Sequence, residues 1–462
     1  MNAIRALCTL FGFAGATAAA LSQAGCKACS EKDDPSRDGT PVDITPALAP
    51  ATLVPPPDAG PRIKPTCGEA TASLALPEGL YGGGAIAAGA LFVGATSASK
   101  PPQHGFVRAP TSLASSRFVE IASARGDEPP PEIAADGSTI WVAAYAGLDS
   151  PSASLRSGLD SPSASLRSGM KPRRLAVARI DAAQGELAAK VAPQETFAVD
   201  EDESYGFGIA AREGRVVVVW DGEQNGHGVI FARVLGAASN PGAGASADAG
   251  IAGFVLSGSE ENAFAPKIVA TARGFFVAWL AERAPVAGIA DGGASAVEGP
   301  GERAAYFSLS GARLDESGAR GSTPPVLLGS PESEVVGFDL ASSAFGVSVV
   351  AVDRRVRGNT ASTRLFHFPI TLQPWAVQKA EEWFPASVGN AGVTALGDIT
   401  IFADDRERAM VAQNGLTRAE PTLDGTSVVA KEGATLFVLR TRPRDGGVER
   451  GIALERAPCP SP

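Results

Sequence analysis

Pro131-Glu132-Ile133-Ala134-Ala135-Asp136-Gly137-Ser138-Thr139-Ile140-Trp141-Val142-Ala143-Ala144-Tyr145 sets the pattern of this chain. A short apolar run meets a turn, and a second apolar run ends near an aromatic. The phrase returns at Phe207 to Trp220 and again at Pro266 to Trp279. β-Branched and aromatic residues on both sides of a Gly- or Asp-bearing turn predict antiparallel hairpins. Recurrence at intervals of tens of residues is the mark of a repeat architecture.

Working outward, further hairpin candidates lie near residues 84–96, 338–352, 393–403 and 426–440. The sixth, near 393–415, is poorly defined. Third strands of common appearance follow several of them: Leu175 to Asp181, Val229 to Leu235 and Tyr306 to Asp315, with degenerate copies at Leu365 to Ile370 and Gly451 to Arg456. A hairpin, a third strand and an irregular fourth make up the blade of a β-propeller. The expectation is all-β: one propeller of about seven four-stranded blades over residues 65–462, with six or eight open. Tandem β-sandwiches are the alternative, but they leave the three-strand phrase unexplained. The Ala-Trp or Val-Trp hairpin ends followed by Ala-Arg strands resemble the degenerate repeats of bacterial secreted propellers. One helical turn or two is expected at Trp375 to Phe384, between Pro374 and Pro385.

Arg5 is the single charge before an apolar run from Ala6 to Leu21. That run is short for a membrane span and suits a signal peptide over residues 1–25. Leu21-Ser22-Gln23-Ala24-Gly25-Cys26 resembles a bacterial lipobox, with Gln23 where that family carries a branched aliphatic residue. The resemblance implies lipidation at Cys26, and Lys27 fits onward sorting. The competing reading is ordinary cleavage after Ala20 or Ala24, which gives a soluble secreted or periplasmic protein. Residues 26–64, rich in proline and including Pro55-Pro56-Pro57, lack the apolar content for a core and read as a disordered tether.

Of five cysteines, Cys67 precedes the first repeat and Cys459 follows the last. Export permits oxidation, so a Cys67–Cys459 disulfide joining the ends of the array is expected. Cys29 is left over if Cys26 is acylated, and otherwise the two could pair.

The formal net charge of −10 argues against nucleic acid, which needs a clustered basic surface. His104, His227 and His367 are far apart and share no metal-ligand spacing, so neither a metal nor another cofactor is expected. His367 alternates with Phe366 and Phe368 as a strand-face residue, and His227 sits in a Gly-rich hairpin loop. No nucleophile elbow or phosphate loop occurs. Asp136-Gly137 reads as a hairpin turn. It superficially resembles the Asp box of sialidase-like propellers, but lacks that motif's upstream serine and its spacing. Asp200 to Glu203 reads as a solvated acidic loop rather than a calcium site, and Asp404 to Arg408 as a charged turn. Trp141, Trp220 and Trp279 are expected at equivalent positions in the inter-blade core. Gly147 to Ser157 recurs unchanged at Gly158 to Ser168, as expected of an exposed insertion.

No catalytic residue stands out. The expectation is a monomeric, non-enzymatic binding scaffold at the cell envelope. It would touch the membrane only through its lipid and present a face to a protein or glycan. A polysaccharide-active enzyme of glycosidase or lyase type is the alternative, and requires two carboxylates converging on one propeller face.

Overall fold

The computed structural model describes residues 67–459, apart from 125–127, 147–173, 200–205, 237–252, 259–260, 284–305, 322–324, 329–333, 344–345, 358–359, 373–374, 385–387, 389–392, 405, 414–415 and 444–449. The signal, the tether, Cys26, Cys29, the tandem repeat and the acidic run at Asp200 all lie outside the described residues.

Seven antiparallel sheets follow one another along the chain. Blade 1 comprises Gly79–Ala87, Ala90–Ser97, Gln103–Pro110 and Arg117–Ser123. Blade 2 comprises Glu132–Asp136, Thr139–Ala146, Arg174–Asp181 and Glu195–Ala198. Blade 3 comprises Phe207–Arg212, Arg215–Gln224, His227–Gly236 and Phe254–Val255. Blade 4 comprises Asn262–Thr271, Gly274–Arg283, Tyr306–Leu314 and Val326–Leu328. Blade 5 has Glu334–Ser343, Gly346–Arg357 and Thr360–Leu372, and two short strands, Trp375–Val377 and Glu381–Phe384, share its outer edge. Blade 6 comprises Thr394–Leu396, Ile399–Ala403, Ala409–Gln413 and Leu416–Ala419. Blade 7 takes Thr426–Glu432, Thr435–Pro443 and Arg450–Pro458 from the C-terminal end and Ala72–Ala75 from the N-terminal end.

The first strand of each blade contacts the first strands of its neighbours all the way round, so these seven strands surround the axis. The protein is therefore a seven-bladed β-propeller, and neither the sandwich alternative nor six or eight blades holds. The seven hairpin expectations coincide with the seven inner hairpins. The helix expected at Trp375 to Phe384 is not there. Val377 and Trp383 instead belong to two strands paired on Thr360–Leu372, and that pairing overrides the proline-bounded local signal.

Alternation explains the packing. Successive side chains of a strand point to opposite faces, and each face of a blade meets a neighbouring blade. Seven buried apolar clusters result among the described residues, one for each blade-to-blade interface. Phe92 and Phe106 of blade 1 pack on Ile140 and Val142 of blade 2, for example. Burial of a large apolar side chain contributes roughly 1.5–3 kcal/mol. The ring is thus held by many similar interfaces, none dominant.

Closure uses polar devices as well. Cys67 and Cys459 form a buried disulfide across 392 positions. The Cys67 N–H donates to Glu420 Oε2 at 2.8 Å, and Arg418 also pairs with that buried carboxylate. Glu455, equally buried, is held by Arg440 through Nε at 2.9 Å and by Arg442. Arg440 further donates to the carbonyls of Asp424 and Thr422, tying the strand to the 3₁₀ turn at Pro421–Leu423.

Candidate functional site

The inner hairpins close over two-residue turns: Ala87 pairs with Ala90, Asp136 with Thr139, Arg212 with Arg215, Thr271 with Gly274 and Ser343 with Gly346. Positive φ at Ala88 and Gly89, at Gly137, and at Glu213 and Gly214 is what such tight turns demand. Asp136-Gly137 is thus a hairpin turn, as expected.

Counting four residues back from each closing pair gives one position per blade on the strand lining the axis. The residues there are Gly83, Glu132, Gly208, Lys267 and Asp339 in blades 1 to 5. In blade 6 the position is 392, outside the described residues. In blade 7 it is Val428, at a bulge. One layer of the channel therefore carries three charged side chains on blades 2, 4 and 5, with glycines on blades 1 and 3 flanking Glu132.

The layer's contacts span the ring. Lys267 Nζ donates to Asp339 Oδ1 at 2.8 Å and lies 5.8 Å from the centre of the Phe338 ring. Asp339 Oδ2 accepts the N–H of Ala395, in blade 6, at 2.7 Å. Glu132 Oε2 extends toward blade 1, where a Cβ on Gly83 would stand 3.7 Å from it and meet nothing else within 4 Å. A Cβ there would make an ordinary van der Waals contact with the carboxylate. Glu132 accepts no hydrogen bond from the described residues. The Lys267 side chain is 45 % exposed and that of Asp339 18 %, and Glu132 is partly buried, so water reaches these charges although the ring encloses them.

The electrostatics follow from that enclosure. Burial pushes the Glu132 carboxyl above its ordinary range. Lys267 partly counters this, and the like charge of Asp339 reinforces it. Burial alone would depress Lys267, but the adjacent Asp339, with Glu132 behind it, holds the ammonium above its ordinary value. Blades 2 and 4 are not neighbours, so the Glu132–Lys267 attraction acts across the channel.

The other singled-out residues lie elsewhere. His104 is buried in blade 1, with Thr96 Oγ1 at 2.8 Å from Nδ1 and Glu128 Oε2 at 3.1 Å from Nε2. His227 opens the third strand of blade 3, next to the turn at Asn225 and Gly226, as expected. His367 lies on a strand face and stacks on Trp383 at 4.0 Å. Glu381 accepts from the Trp383 indole at 3.1 Å and contacts His367 at 3.4 Å. Burial lowers the His367 pKa against the pull of Glu381. Asp404 organises the charged turn by accepting the N–H groups of Arg406 and Arg408, each at 2.9 Å, and the Arg408 guanidinium. No group of three potential metal ligands occurs among the described residues.

The three tryptophans are buried between blades, but they are not equivalent. Trp220 and Trp279 stand five residues after the closing pair, and Trp141 only two. An odd offset reverses the face, so Trp141 and Trp220 meet from opposite sides of the blade 2–3 interface while Trp279 packs against blade 3.

The charged layer escaped the sequence reading, which weighed acidic runs and repeated aromatics. Its signal was present: aligning the hairpins by their turns places Gly, Glu, Gly, Lys and Asp in one column.

No family model and no curated protein matches this chain. Among solved structures, it is similar to the polysaccharide lyase Uly1 (TM-score 0.46, 10 % identity, covering 82 % of this chain and 89 % of that one). It is also similar to the β-propeller domain of the Trilobed protease from Pyrococcus furiosus (TM-score 0.38, 9 % identity, 78 % and 91 %). A third is Trypanosoma rangeli sialidase in complex with the inhibitor DANA (TM-score 0.36, 8 % identity, 84 % and 58 %). At these identities the likeness concerns the fold alone.

Proposed function

We propose that this protein is an exported, lipid-anchored β-propeller that binds a ligand in its central channel without cleaving it. The observation that carries this reading is the state of the two carboxylates in the charged layer. Hydrolysis by a carboxylate pair needs both groups free to act, at a separation of roughly 5 to 9.5 Å. Here both oxygens of Asp339 are engaged, one by Lys267 and one by the Ala395 N–H. Glu132 alone is left to meet a ligand. A single free carboxylate beside open space favours recognition over a two-carboxylate displacement.

One observation favours the enzyme alternative. A carboxyl raised by burial has the property required of a general acid. The two readings separate on incubating the mature protein with a panel of neutral and acidic polysaccharides. Reducing-end release and absorbance of unsaturated products are followed. No product is expected. Product formation abolished by Glu132→Gln would replace the binding reading with the enzymatic one.

Anchoring at Cys26 is part of the same proposal, supported by the lipobox-like Ala24-Gly25-Cys26 and the Pro-rich segment behind it. Cys26→Ala should move the protein from the membrane fraction to the soluble fraction. An unchanged distribution would sink the anchor.

A further inference from the structure

We propose that the Cys67–Cys459 bridge is a mechanical lock. It carries tension arriving through the chain before Cys67 into the interface of blades 6 and 7, and so spares the short strand Ala72–Ala75 that completes blade 7. The inference goes beyond the binding reading and holds for any pull on that segment, whether or not Cys26 is acylated.

The strand that needs protection is the weakest part of the closure. Ala72–Ala75 has four residues, half-buried and exposed in alternation, and it pairs only with Arg450–Pro458, as the outermost strand of its sheet. Around it, the N–H groups of Gly68, Thr71 and Leu76 donate to the carbonyls of Pro458, Arg456 and Ile452 at 2.7, 2.8 and 2.9 Å. A strand held along one edge, with few buried apolar contacts, opens at low cost. A pull entering at Gly68 would load these bonds one after another and peel the strand from its N-terminal end. Gly79–Ala87, the innermost strand of blade 1, follows directly after residues 76–78. The peel would therefore reach the interface of blades 7 and 1, where Leu74 packs in one cluster with Leu91 and Leu454.

Cys67 intercepts that pull before it reaches Gly68. Its sulfur joins Cys459, whose N–H donates to the Ala434 carbonyl at 2.6 Å, beside the inner turn of blade 7. The Cys67 N–H donates to Glu420 Oε2 at 2.8 Å, and its carbonyl accepts Thr422 Oγ1 at 3.1 Å, both in the connection from blade 6. The two cysteines are buried with Ile399, Val411, Val428 and Val438 of blades 6 and 7. Arg450–Pro458, which Cys459 extends, pairs over nine positions with Thr435–Pro443 and lies between two strands rather than at an edge. The load thus falls on interior elements that must yield together. A bridge that served stability alone would not depend on the point from which the chain is pulled.

The test is single-molecule force spectroscopy of the full exported chain. One handle sits at the N-terminal end of the segment before Cys67, the other in a tag inserted between Ser157 and Gly158. The oxidised wild type should show no step before the ring unfolds. Cys67→Ser should add an early step of at most about 40 Å, from roughly 3.5 Å per residue over residues 67–78. A shorter early step should also appear in the oxidised protein, bridge intact, when the first handle is moved to Ala70, which is exposed and lies past the bridge. This second arm needs no cysteine variant, so it decides the question even where Cys67→Ser does not fold. An early step in the wild type pulled from its N-terminal segment overturns the inference. So does a folded Cys67→Ser without an early step, or an identical trace from Ala70 and from the N-terminal segment. Fractionation of Cys26→Ala tests the anchor separately, and its failure would leave the lock standing.

Discussion

The ring closure buries its carboxylates, whereas the channel layer leaves its own partly open to water, and the two places treat them differently. At the closure, Glu420 is met by the Cys67 N–H and Arg418, and Glu455 by Arg440 and Arg442. In the channel, Asp339 is equally well met, but Glu132 accepts no hydrogen bond from the described residues. A paired buried charge needs no ligand to explain it, because its partners replace the water it lost. A carboxylate that reaches the channel, as Glu132 does, can keep water in place of a protein donor. The contrast separates carboxylates that close the ring from one that stays open to the channel.

The comparison can be attacked from the closure side first. Replacing Cys67 by Ser opens a loop of nearly the whole folded chain. The chain-entropy relation puts the loss on the order of 5 kcal/mol, read as a large fall in Tm that reductant reproduces in the wild type. Glu455→Ala strands two guanidinium groups. Because both reach solvent, the expected loss is about 2–3 kcal/mol in denaturant titration, short of the full penalty of a buried broken pair.

The channel side should respond with the opposite sign. Glu132→Gln removes a partly exposed charge that the surrounding protein disfavours, so it should leave stability unchanged or raise it by no more than about 0.5 kcal/mol at neutral pH. A loss of 2 kcal/mol would show that Glu132 is a structural carboxylate like Glu455. The pH dependence sharpens this. A carboxyl raised in the folded state contributes stability that is fully present below its unfolded pKa and lost as pH rises through its folded pKa. Asp404, lowered by Arg408, contributes in the reverse sense: present above the unfolded pKa and lost as pH falls. Between neutral pH and the ordinary carboxylate range, the wild type should therefore gain stability relative to Glu132→Gln. The smallest effect belongs to the surface. Lys190→Ala breaks an exposed pair with Glu120 and should cost about 0.5 kcal/mol.

Much of the scaffold is written locally. Each inner hairpin is an alternating apolar pair around a two-residue turn, and Val216 to Trp220 or Phe275 to Trp279 can scarcely be read otherwise. The third strands Gln103–Pro110 and Ala409–Gln413 escaped, because His104, Gly105 and Gln413 break the apolar run. Strands Trp375–Val377 and Glu381–Phe384 read as helix, since their pairing with Thr360–Leu372 is tertiary. Ala72–Ala75 joins Arg450–Pro458 across almost the whole chain, and no short window holds that information. The Cys67–Cys459 bridge was legible because the two cysteines flank the array at its two ends. The charged layer lies between these cases. Its column emerges once the hairpins are aligned by their turns, but that Glu132, Lys267 and Asp339 face one another follows only from ring closure.

The most direct measurement is a carbon-detected NMR titration of the glutamate side-chain carboxyls in the unliganded protein, with Glu132 assigned by its absence in Glu132→Gln. The account predicts a Glu132 pKa distinctly above the ordinary glutamate range. A value within or below that range would mean that the carboxylate is fully hydrated or paired, and would contradict the claim that the ring raises this carboxyl.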